Sequence, residues 1–372
     1  MALQNEIDQR RREIQTEGYP MSVGELLNIY RDGDLDIHPE FQRFFRWSTA
    51  QKSRFIESLL LGIPIPSLFV HQRQDGVWDV IDGLQRLSTI FEFVGVLKDS
   101  SDQLVRPTAL TATEYLPSLA GVVWDDNTDG SIPLTPDQQR LIKRASIDIK
   151  IVKRESDEDA KYDLFQRLNT GGSQLSDQEV RNCLLIMVRP DFYGWVRGLR
   201  DLASFQRTIA ISDRAVDEQY DMELAIRFLA LKNADAAILR NIGDMSDFLD
   251  KRSLEFARSD QFDLDTEGNT FAQTFDILDS ALGDDAFRRY DGVTDRFLGG
   301  FAVSAFEAIT VGVHANLDAW TKLDASERNV SLRGRAQQLW SDQEFRTNSG
   351  SGIRASGRIP KTVPRGRALF TP

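Results

Sequence analysis

The segment that most constrains the fold is WDVIDGLQRLSTIFEF, residues 78–93, in which a strand pattern changes to a helix pattern. A short apolar run ends in Asp82-Gly83, and the apolar residues that follow recur at helical spacing: Leu84, Leu87, Ile90 and Phe91. A strand that leads straight into a helix directs the helix N-terminus, with its free N–H groups, at whatever lies beyond the strand. The segment therefore predicts an anion site.

The residues around this segment predict a compact α+β unit. Ser22 with Glu25, and Ser48 with Gln51, have the spacing of helix-capping boxes. Alternation and turn residues predict the other elements, which are strands at 35–38, 67–71 and 77–81, a helix after Thr135-Pro136 and a strand at 146–152.

The rest of the chain predicts further divisions. Residues 99–136 lack strong periodicity and are rich in Thr, Pro, Asp and Gly, which favours a surface insertion or lid. Later residues show apolar spacings of three and four, which predict helices at 217–231, 245–256, 271–282, 297–309 and 332–340. We therefore predict an α+β fold with an N-terminal domain at 20–155, a helical domain at 156–345 and a basic tail at 346–372.

Charge and hydropathy limit the cellular setting and the partners. No apolar run approaches the roughly 18 residues of a membrane span, and the first residues are polar, so we expect a cytoplasmic protein. A net charge of -12 argues against indiscriminate coating of nucleic acid. The tail nevertheless carries cations without acids, and its candidate DNA contacts are Arg354, Arg358, Lys361, Arg365 and Arg367. The alternative is a segment folded back on the acidic helical domain.

Several kinds of active site are excluded or weakened by what the sequence lacks. No Gly-Lys pair occurs, which excludes a P-loop, and no GxSxG motif occurs. The single cysteine, Cys183, lies in an apolar run and is predicted to be buried. One nuclease-like pattern remains, in which Pro136-Asp137 is followed by Asp148-Ile149-Lys150, although Asp137 is better explained as part of a helix start.

The strongest constellation combines Asp82, Gln85 and Arg86 with Arg43, at the helix N-terminus marked by Gly83. Arginine binds phosphate through two parallel hydrogen bonds, and glycine allows backbone N–H groups to approach it. A carboxylate can hold a metal ion or orient a water molecule. These are the components that phosphoryl transfer requires.

Four blocks of sequence resemble a known family: Phe41-Gln42-Arg43 with Trp47, Ile63-Pro64-Ile65-Pro66, Val80 to Thr89, and Phe165 to Gly172 with Leu175-Ser176. In order and content they are similar to the N-terminal domain of GmrSD-type modification-dependent restriction enzymes. That domain is similar to the ParB and sulfiredoxin superfamily. The resemblance covers residues 20 to 210 and implies a small ParB/sulfiredoxin-like domain followed by a mainly helical one.

The resemblance implies nucleotide binding and hydrolysis in a defence against phage DNA. The family motif Asp-Gly-Gln-Gln-Arg falls on residues 82–86, and Leu84 departs from it. Asp82 would hold Mg²⁺ or orient water, Gln85 would position that water, and Arg86 and Arg43 would contact the phosphates of GTP, ATP or CTP. Further nucleotide contacts are Gln42, Arg46 and Gly83, and a secondary motif consists of Arg167, Asn169, Thr170, Gly171, Gly172 and Arg181.

Three hypotheses remain open at this point. The first is an NTPase of a DNA-directed defence system. Because the paired histidines of an HNH nuclease are missing, it would control a separate nuclease or defence subunit, as a monomer or a homo-oligomer. The second is a nucleotide- or DNA-sensing module that hydrolyses nothing, motivated by Leu84. The third is a metal-dependent DNA nuclease or nickase that uses Asp137, Asp148 and Lys150, or Asp82 itself.

Overall fold

A computed structural model describes residues 16–37, 47–99, 101–125, 130–153, 176–350 and 352–372. The chain forms two compact units, Met1–Leu175 and Ser176–Pro372. The division lies 20 residues after the predicted boundary at 155. The predicted tail at 346–372 belongs to the second unit and is not a separate segment.

The first unit is built from short strands and helices in an α+β arrangement. Its strands are β1 (Thr16–Ser22), β2 (Leu35–Asp36), β3 (Leu68–Gln72), β4 (Trp78–Asp82), β5 (Val122–Val123), β6 (Ile132–Pro133) and β7 (Ser146–Val152). Its helices are α1 (Val23–Asp32), α2 (Thr49–Leu61), α3 (Leu84–Val94) and α4 (Pro136–Arg144), with a 3₁₀ turn at Pro117–Leu119.

Helix starts in this unit follow the predicted caps. Ser48 Oγ accepts a hydrogen bond from the Gln51 N–H, and Gln51 Oε1 accepts one from the Ser48 N–H, which completes the capping box of α2. Thr135 caps α4 in the same way, with proline in the first turn. Such caps satisfy N–H groups that the helix itself leaves without partners.

The main sheet has the strand order β1-β7-β3-β4-β2. Strands β3 and β4 form the predicted antiparallel hairpin, while β7 runs antiparallel to β1 and parallel to β3. One face of the sheet packs into the core of the unit through Leu68, Val70, Val80, Ile147 and Ile149. Because side chains alternate along a strand, the residues between these point to the opposite face.

The prediction of a surface insertion or lid at 99–136 is wrong, because described residues of this segment complete the core of the first unit. Leu110, Leu119, Val122 and Trp124 are buried in the same cluster as the sheet. These residues lie between surface polar positions without regular spacing, so no periodicity revealed them. The segment therefore has a packing role.

Buried polar groups on α2 and α3 also hold this segment in place. Glu57, itself buried, accepts hydrogen bonds from the N–H groups of Tyr115 (3.2 Å) and Leu116 (2.9 Å). The Thr111 N–H donates to Ser53 Oγ at 2.9 Å, and Thr108 donates to Glu92 at 2.6 Å. A carboxylate buried with several donors is satisfied only in this arrangement, so displacing the segment would be costly.

The second unit is mainly helical. Its helices are α5 (Asp177–Val188), α6 (Pro190–Arg200), α7 (Ala203–Ile209), α8 (Asp213–Asp217), α9 (Tyr220–Lys232), α10 (Ala236–Arg240), α11 (Met245–Arg258), α12 (Leu264–Leu282), α13 (Val303–Ala315), α14 (Leu317–Lys322), α15 (Ala325–Ser341), α16 (Gln343–Asn348) and α17 (Ala355–Leu369). A 3₁₀ turn at Gly283–Asp285 precedes a hairpin of β8 (Arg289–Asp291) and β9 (Arg296–Leu298). The predicted helix at 297–309 therefore begins too early, because Phe297 lies in β9.

The C-terminal helix α17 packs closely against α13. A Cβ atom added at Gly366 would overlap the backbone carbonyl of Ala308, and one added at Gly312 would lie 2.5 Å from the Gly366 carbonyl oxygen. Ile359 and Val363 are fully buried. The two helices cross with glycine on both sides, so α17 is part of the core of the second unit.

Among the residues that the structure describes, no helix is both long and apolar enough to cross a membrane.

Candidate functional site

The junction of β4 and α3 is a single glycine. Gly83 has φ 103° and ψ 13°, in the left-handed region that favours glycine, and it precedes a helix N-terminus without a side-chain cap. A Cβ atom at this position would overlap the Leu68 side chain. The first intrahelical bond runs from the Leu87 N–H to the Gly83 carbonyl at 2.9 Å, so the N–H groups of residues 84–86 precede the regular ladder.

A β-bulge directs Asp82 away from the core. Phe69 pairs with Asp82 and Val70 pairs with Val80, so Ile81 is one extra residue on β4. Without this extra residue, the Asp82 side chain would lie on the same face of the sheet as Val80 and would point into the core. The bulge turns the carboxylate to the opposite face, where the Asp82 side chain is 30% exposed.

Arg86 is largely buried and holds the site together. Its Nη2 atom donates to Asp82 Oδ2 at 2.9 Å, and its Nη1 atom donates to the carbonyls of Pro66 and Ser67. Burial lowers the pKa of the guanidinium, while Asp82 opposes that shift. In this structure Arg86 therefore positions Asp82 and the connector before β3, which differs from its predicted role as an open phosphate contact.

Gln85 is directed at the chain that enters α2. Its Oε1 atom accepts a hydrogen bond from the Trp47 N–H at 3.4 Å. Leu84, where the family motif has an amide, packs at the edge of the apolar core. The amide of Gln85 thus connects the β4–α3 junction to the end of the segment in which Arg43 was predicted to act.

One carboxylate is available here for a metal ion. Asp82 uses Oδ2 for Arg86, and the described residues offer no hydrogen-bond partner to its Oδ1 atom. They also contain no group of three or more His, Cys, Asp or Glu side chains that could hold a metal. Mg²⁺ commonly binds through one or two carboxylates plus substrate phosphates, and a single free carboxylate oxygen fits that mode.

Eight predicted site residues lie in two segments outside the part of the chain that the structure describes. Gln42, Arg43 and Arg46 lie outside the described residues, as does most of the secondary motif: Arg167, Asn169, Thr170, Gly171 and Gly172.

Arg181, the described member of the secondary motif, is buried in the second unit. Its side chain is fully inaccessible, with Nε 2.6 Å from Asp250 Oδ1 and Nη2 3.2 Å from Ser246 Oγ. Gln178 accepts another of its hydrogen bonds. Arg181 therefore joins α5 to α11 and is not exposed to a ligand, which corrects its predicted role.

Three of the predicted DNA contacts are engaged within the second unit. Arg358 forms two hydrogen bonds to Glu307, both at 2.9 Å, and Arg365 bonds Asp342 at 2.6 Å. Arg367 donates to the Ala234 carbonyl at 2.8 Å. The second reading of this segment, a stretch folded back on the helical domain, therefore describes the observed structure. Arg354 and Lys361 are exposed.

The nuclease-like pattern is split between a helix and a strand. Asp137 lies in the first turn of α4 and is ion-paired with Arg140. Asp148 and Lys150 are exposed on β7, on the face opposite the core. The pattern therefore does not place two carboxylates on paired strands.

A separate pocket of about 420 Å³ lies in the first unit, beside Tyr30, Leu35, Val96 and Lys98. Leu35 pairs with Trp78, at the start of β4, whereas Asp82 is at its end. The pocket and the Asp82 site are therefore at opposite ends of this strand.

Comparison with known proteins finds a similarity that spans most of the first unit. Residues 23–186 match the family model described as GmrSD restriction endonuclease, N-terminal domain. The match runs from the start of α1 into α5 and includes Asp82, Gln85 and Arg86. A search of curated proteins found no match to the chain. Residues 23–186 are therefore similar to the N-terminal domain of GmrSD restriction endonucleases.

Proposed function

We propose that this chain is a nucleoside-triphosphate-binding and hydrolysing component of a restriction-like system directed against foreign DNA. The family of residues 23–186 supports the restriction setting. The observation that carries the nucleotide proposal is the β4–α3 junction, where a bulge and a left-handed glycine bring a partly exposed carboxylate next to a helix N-terminus.

The groups at this junction have complementary roles in the proposal. Backbone N–H groups at the start of α3 bind a phosphate, because they and the helix dipole favour an anion. Arg86 fixes the Asp82 carboxylate and leaves one of its oxygens to accept a hydrogen bond from water or to bind Mg²⁺. When bound, the metal ion neutralises charge on the phosphates. Gln85 accepts a hydrogen bond from the Trp47 N–H, and Arg43 and Arg46 are proposed as further phosphate contacts.

The experiment is release of phosphate from GTP, ATP and CTP by the full chain with Mg²⁺. Asp82→Asn keeps the size of the side chain and removes its charge, so turnover falls by at least about 100-fold if Asp82 acts on water or metal. Asp137→Asn, in the first turn of α4, is the control and keeps turnover. Equal rates in the wild type and Asp82→Asn would rule out this role.

A second candidate, a nucleotide-sensing module without hydrolysis, is favoured by Arg86 and Leu84. The Arg86 guanidinium is only 12% exposed and is engaged by two carbonyls and a carboxylate, so it supplies no open arginine to a transition state. In that case NTP binds and protects the chain against thermal unfolding, but steady turnover is absent. Multiple turnovers per chain would contradict this candidate.

DNA and a partner subunit complete the proposal. Arg354, at the N-terminus of α17, and Lys361, within this helix, are exposed cations. A weak DNA contact through them would be sensitive to salt. A separate nuclease chain is the proposed partner, and the setting is cytoplasmic. Nicking of plasmid DNA by the isolated chain with Mg²⁺ or Mn²⁺, lost in Lys150→Met, would instead support the nuclease hypothesis.

A further inference from the structure

A single row of residues crosses the outer face of the sheet and ends at Asp82. Gly18 on β1 pairs with Lys150 on β7, Lys150 pairs with Phe69 on β3, and Phe69 pairs with Asp82 on β4. Directly paired residues on neighbouring strands point to the same face. Lys150 and Asp82 therefore share a face, with Phe69 between them.

The register also fixes which face this is. Ile149 and Ile151 flank Lys150 and both belong to the core, and Leu68 and Val70 flank Phe69 in the same way. Lys150 and Phe69 must therefore point away from the core. Asp82 joins them only because of the extra residue at Ile81.

This end of the outer face is open. Lys150 and Asp148 are exposed and Phe69 is half-buried, whereas His71, Asp79 and Val152, further along the same strands, are buried. Strands lie about 4.8 Å apart, so the Cα atoms of Asp82 and Lys150 are about 10 Å apart across Phe69. A polyphosphate chain that begins at the α3 N-terminus can extend across this distance.

Lys150 differs from the other described lysines of the first unit. Lys52 is paired with Glu92 (2.7 Å), Lys98 with Asp102 (2.9 Å) and Lys153 with Glu17 (2.8 Å), and Lys143 lies over the Trp124 ring. Within the described residues, the Lys150 side chain has neither an ion pair nor a hydrogen bond.

The neighbouring glycine leaves space for the Lys150 side chain. A Cβ atom at Gly18 would lie 2.8 Å from Lys150 Cδ and 3.1 Å from its Nζ. The stem thus lies over the backbone of β1, with its ammonium group on an open surface. Its flexible four-carbon stem allows the ammonium to swing toward Phe69 when an anion is present.

We propose that Lys150 is a phosphate-binding residue of the nucleotide site, which extends from the α3 N-terminus and Asp82 across Phe69 to β7. This inference rests on the proposed function of the Asp82 site and names a cation for it that the family motif does not contain. The ligand class is the polyphosphate chain of a nucleoside triphosphate.

The test is calorimetric titration of the full chain with GTP, ATP and inorganic tripolyphosphate in the presence of Mg²⁺. Lys150→Met should raise the Kd for the tightest of these ligands by about tenfold, because a charge-assisted phosphate contact is lost, while Lys150→Arg stays within about threefold of the wild type. Lys153→Met is the matched control: it removes the same charge three residues further along and keeps the wild-type Kd.

The outcomes separate this inference from the proposed function. If Asp82→Asn abolishes turnover while Lys150→Met binds like the wild type, the inference is wrong and the proposed function stands. Equal weakening by Lys150→Met and Lys153→Met would indicate a general charge effect and would also overturn it. A wild-type chain that binds none of the three ligands contradicts both.

A second measurement does not depend on activity. Acetylation of surface amines, followed by mass spectrometry, should modify Lys150 in the free chain and at least fivefold less when nucleotide is bound, whereas Lys361 in the second unit should be modified equally in both. Unchanged modification of Lys150 at saturating nucleotide would contradict the inference.

Discussion

Each unit contains a carboxylate held by arginine, but the two arrangements differ in how fully the charges are satisfied. In the second unit, Glu307 is completely buried and both of its oxygens accept hydrogen bonds, from Arg227 at 2.6 Å and from Arg358 at 2.9 Å. In the first unit, Asp82 is 30% exposed and binds Arg86 through one oxygen only.

The difference separates a structural cluster from a site that can bind a ligand. Burial would lower the pKa of Arg227, but Glu307 and Glu223 raise it above its usual range, so Arg227 keeps its charge in the core. Because both oxygens of Glu307 are engaged, the cluster offers no carboxylate oxygen to a ligand, and it connects α9, α13 and α17. The Asp82–Arg86 pair is held by backbone carbonyls on one side and is open on the other, which is the arrangement expected where a ligand completes the site.

The largest effect is expected from breaking the buried cluster. Glu307→Gln removes the charge that compensates two buried arginines, and the second unit should lose about 3–5 kcal/mol of unfolding free energy. Denaturant unfolding measures this change, with the exposed Glu327→Gln on α15 as control. A loss below about 1 kcal/mol would mean that the cluster is not what fixes α17.

The close contact between Gly366 of α17 and Ala308 of α13 tests the packing of α17 without changing a charge. Gly366→Ala should cost about 1–3 kcal/mol because its methyl group would overlap the Ala308 carbonyl. Gly334→Ala, in α15 with no atom within 4 Å of the added Cβ, should instead be neutral or stabilise by up to about 1 kcal/mol. If both substitutions stabilise the chain, α17 does not pack as described.

In the first unit, Arg86→Lys tests whether the guanidinium group positions Asp82. Lysine keeps the charge but cannot contact Asp82 and both carbonyls at once, so unfolding free energy should fall by about 1–2 kcal/mol and turnover should fall with it. Thermal unfolding and phosphate release on the same preparation measure both. Full turnover together with normal stability would show that the guanidinium does not position Asp82.

The smallest effect is a pH dependence of the second unit. Burial, with Lys232 and Arg367 nearby, lowers the pKa of His314 to about 4. Because this pKa is lower than in the unfolded chain, the unfolded state binds more protons between pH 6.5 and 4, and acidification across that window destabilises the fold. His314→Gln should reduce this loss by about 1 kcal/mol for each pH unit within the window, measured as the difference in unfolding free energy from the wild type. The same loss in both proteins would show that His314 does not titrate in this window.

Local elements were predictable because their signals are local. The capping box at Ser48, the helix start at Thr135-Pro136 and the glycine at position 83 each act through neighbouring residues, and the structure contains all of them. The Asp82 junction was therefore found from the sequence.

What the sequence did not reveal depends on distant partners. Nothing local distinguishes Arg358, which is paired with Glu307, from the exposed Lys361 three residues later. The bulge at Ile81 is defined by pairing with β3, and the carbonyls that Arg86 contacts belong to backbone and leave no sequence signature. Arg86 was therefore predicted to contact phosphate, whereas its hydrogen-bond partners are Asp82 and two backbone carbonyls of the same unit.

The most direct test of the account is to measure stability and NTP turnover together in Asp82→Asn. The account predicts a melting temperature within about 2 °C of the wild type, because the Asp82 side chain is partly exposed and Arg86 keeps its two carbonyl partners. It predicts turnover reduced at least about 100-fold. Wild-type turnover in a chain of unchanged stability would contradict the assignment of Asp82 to the functional site.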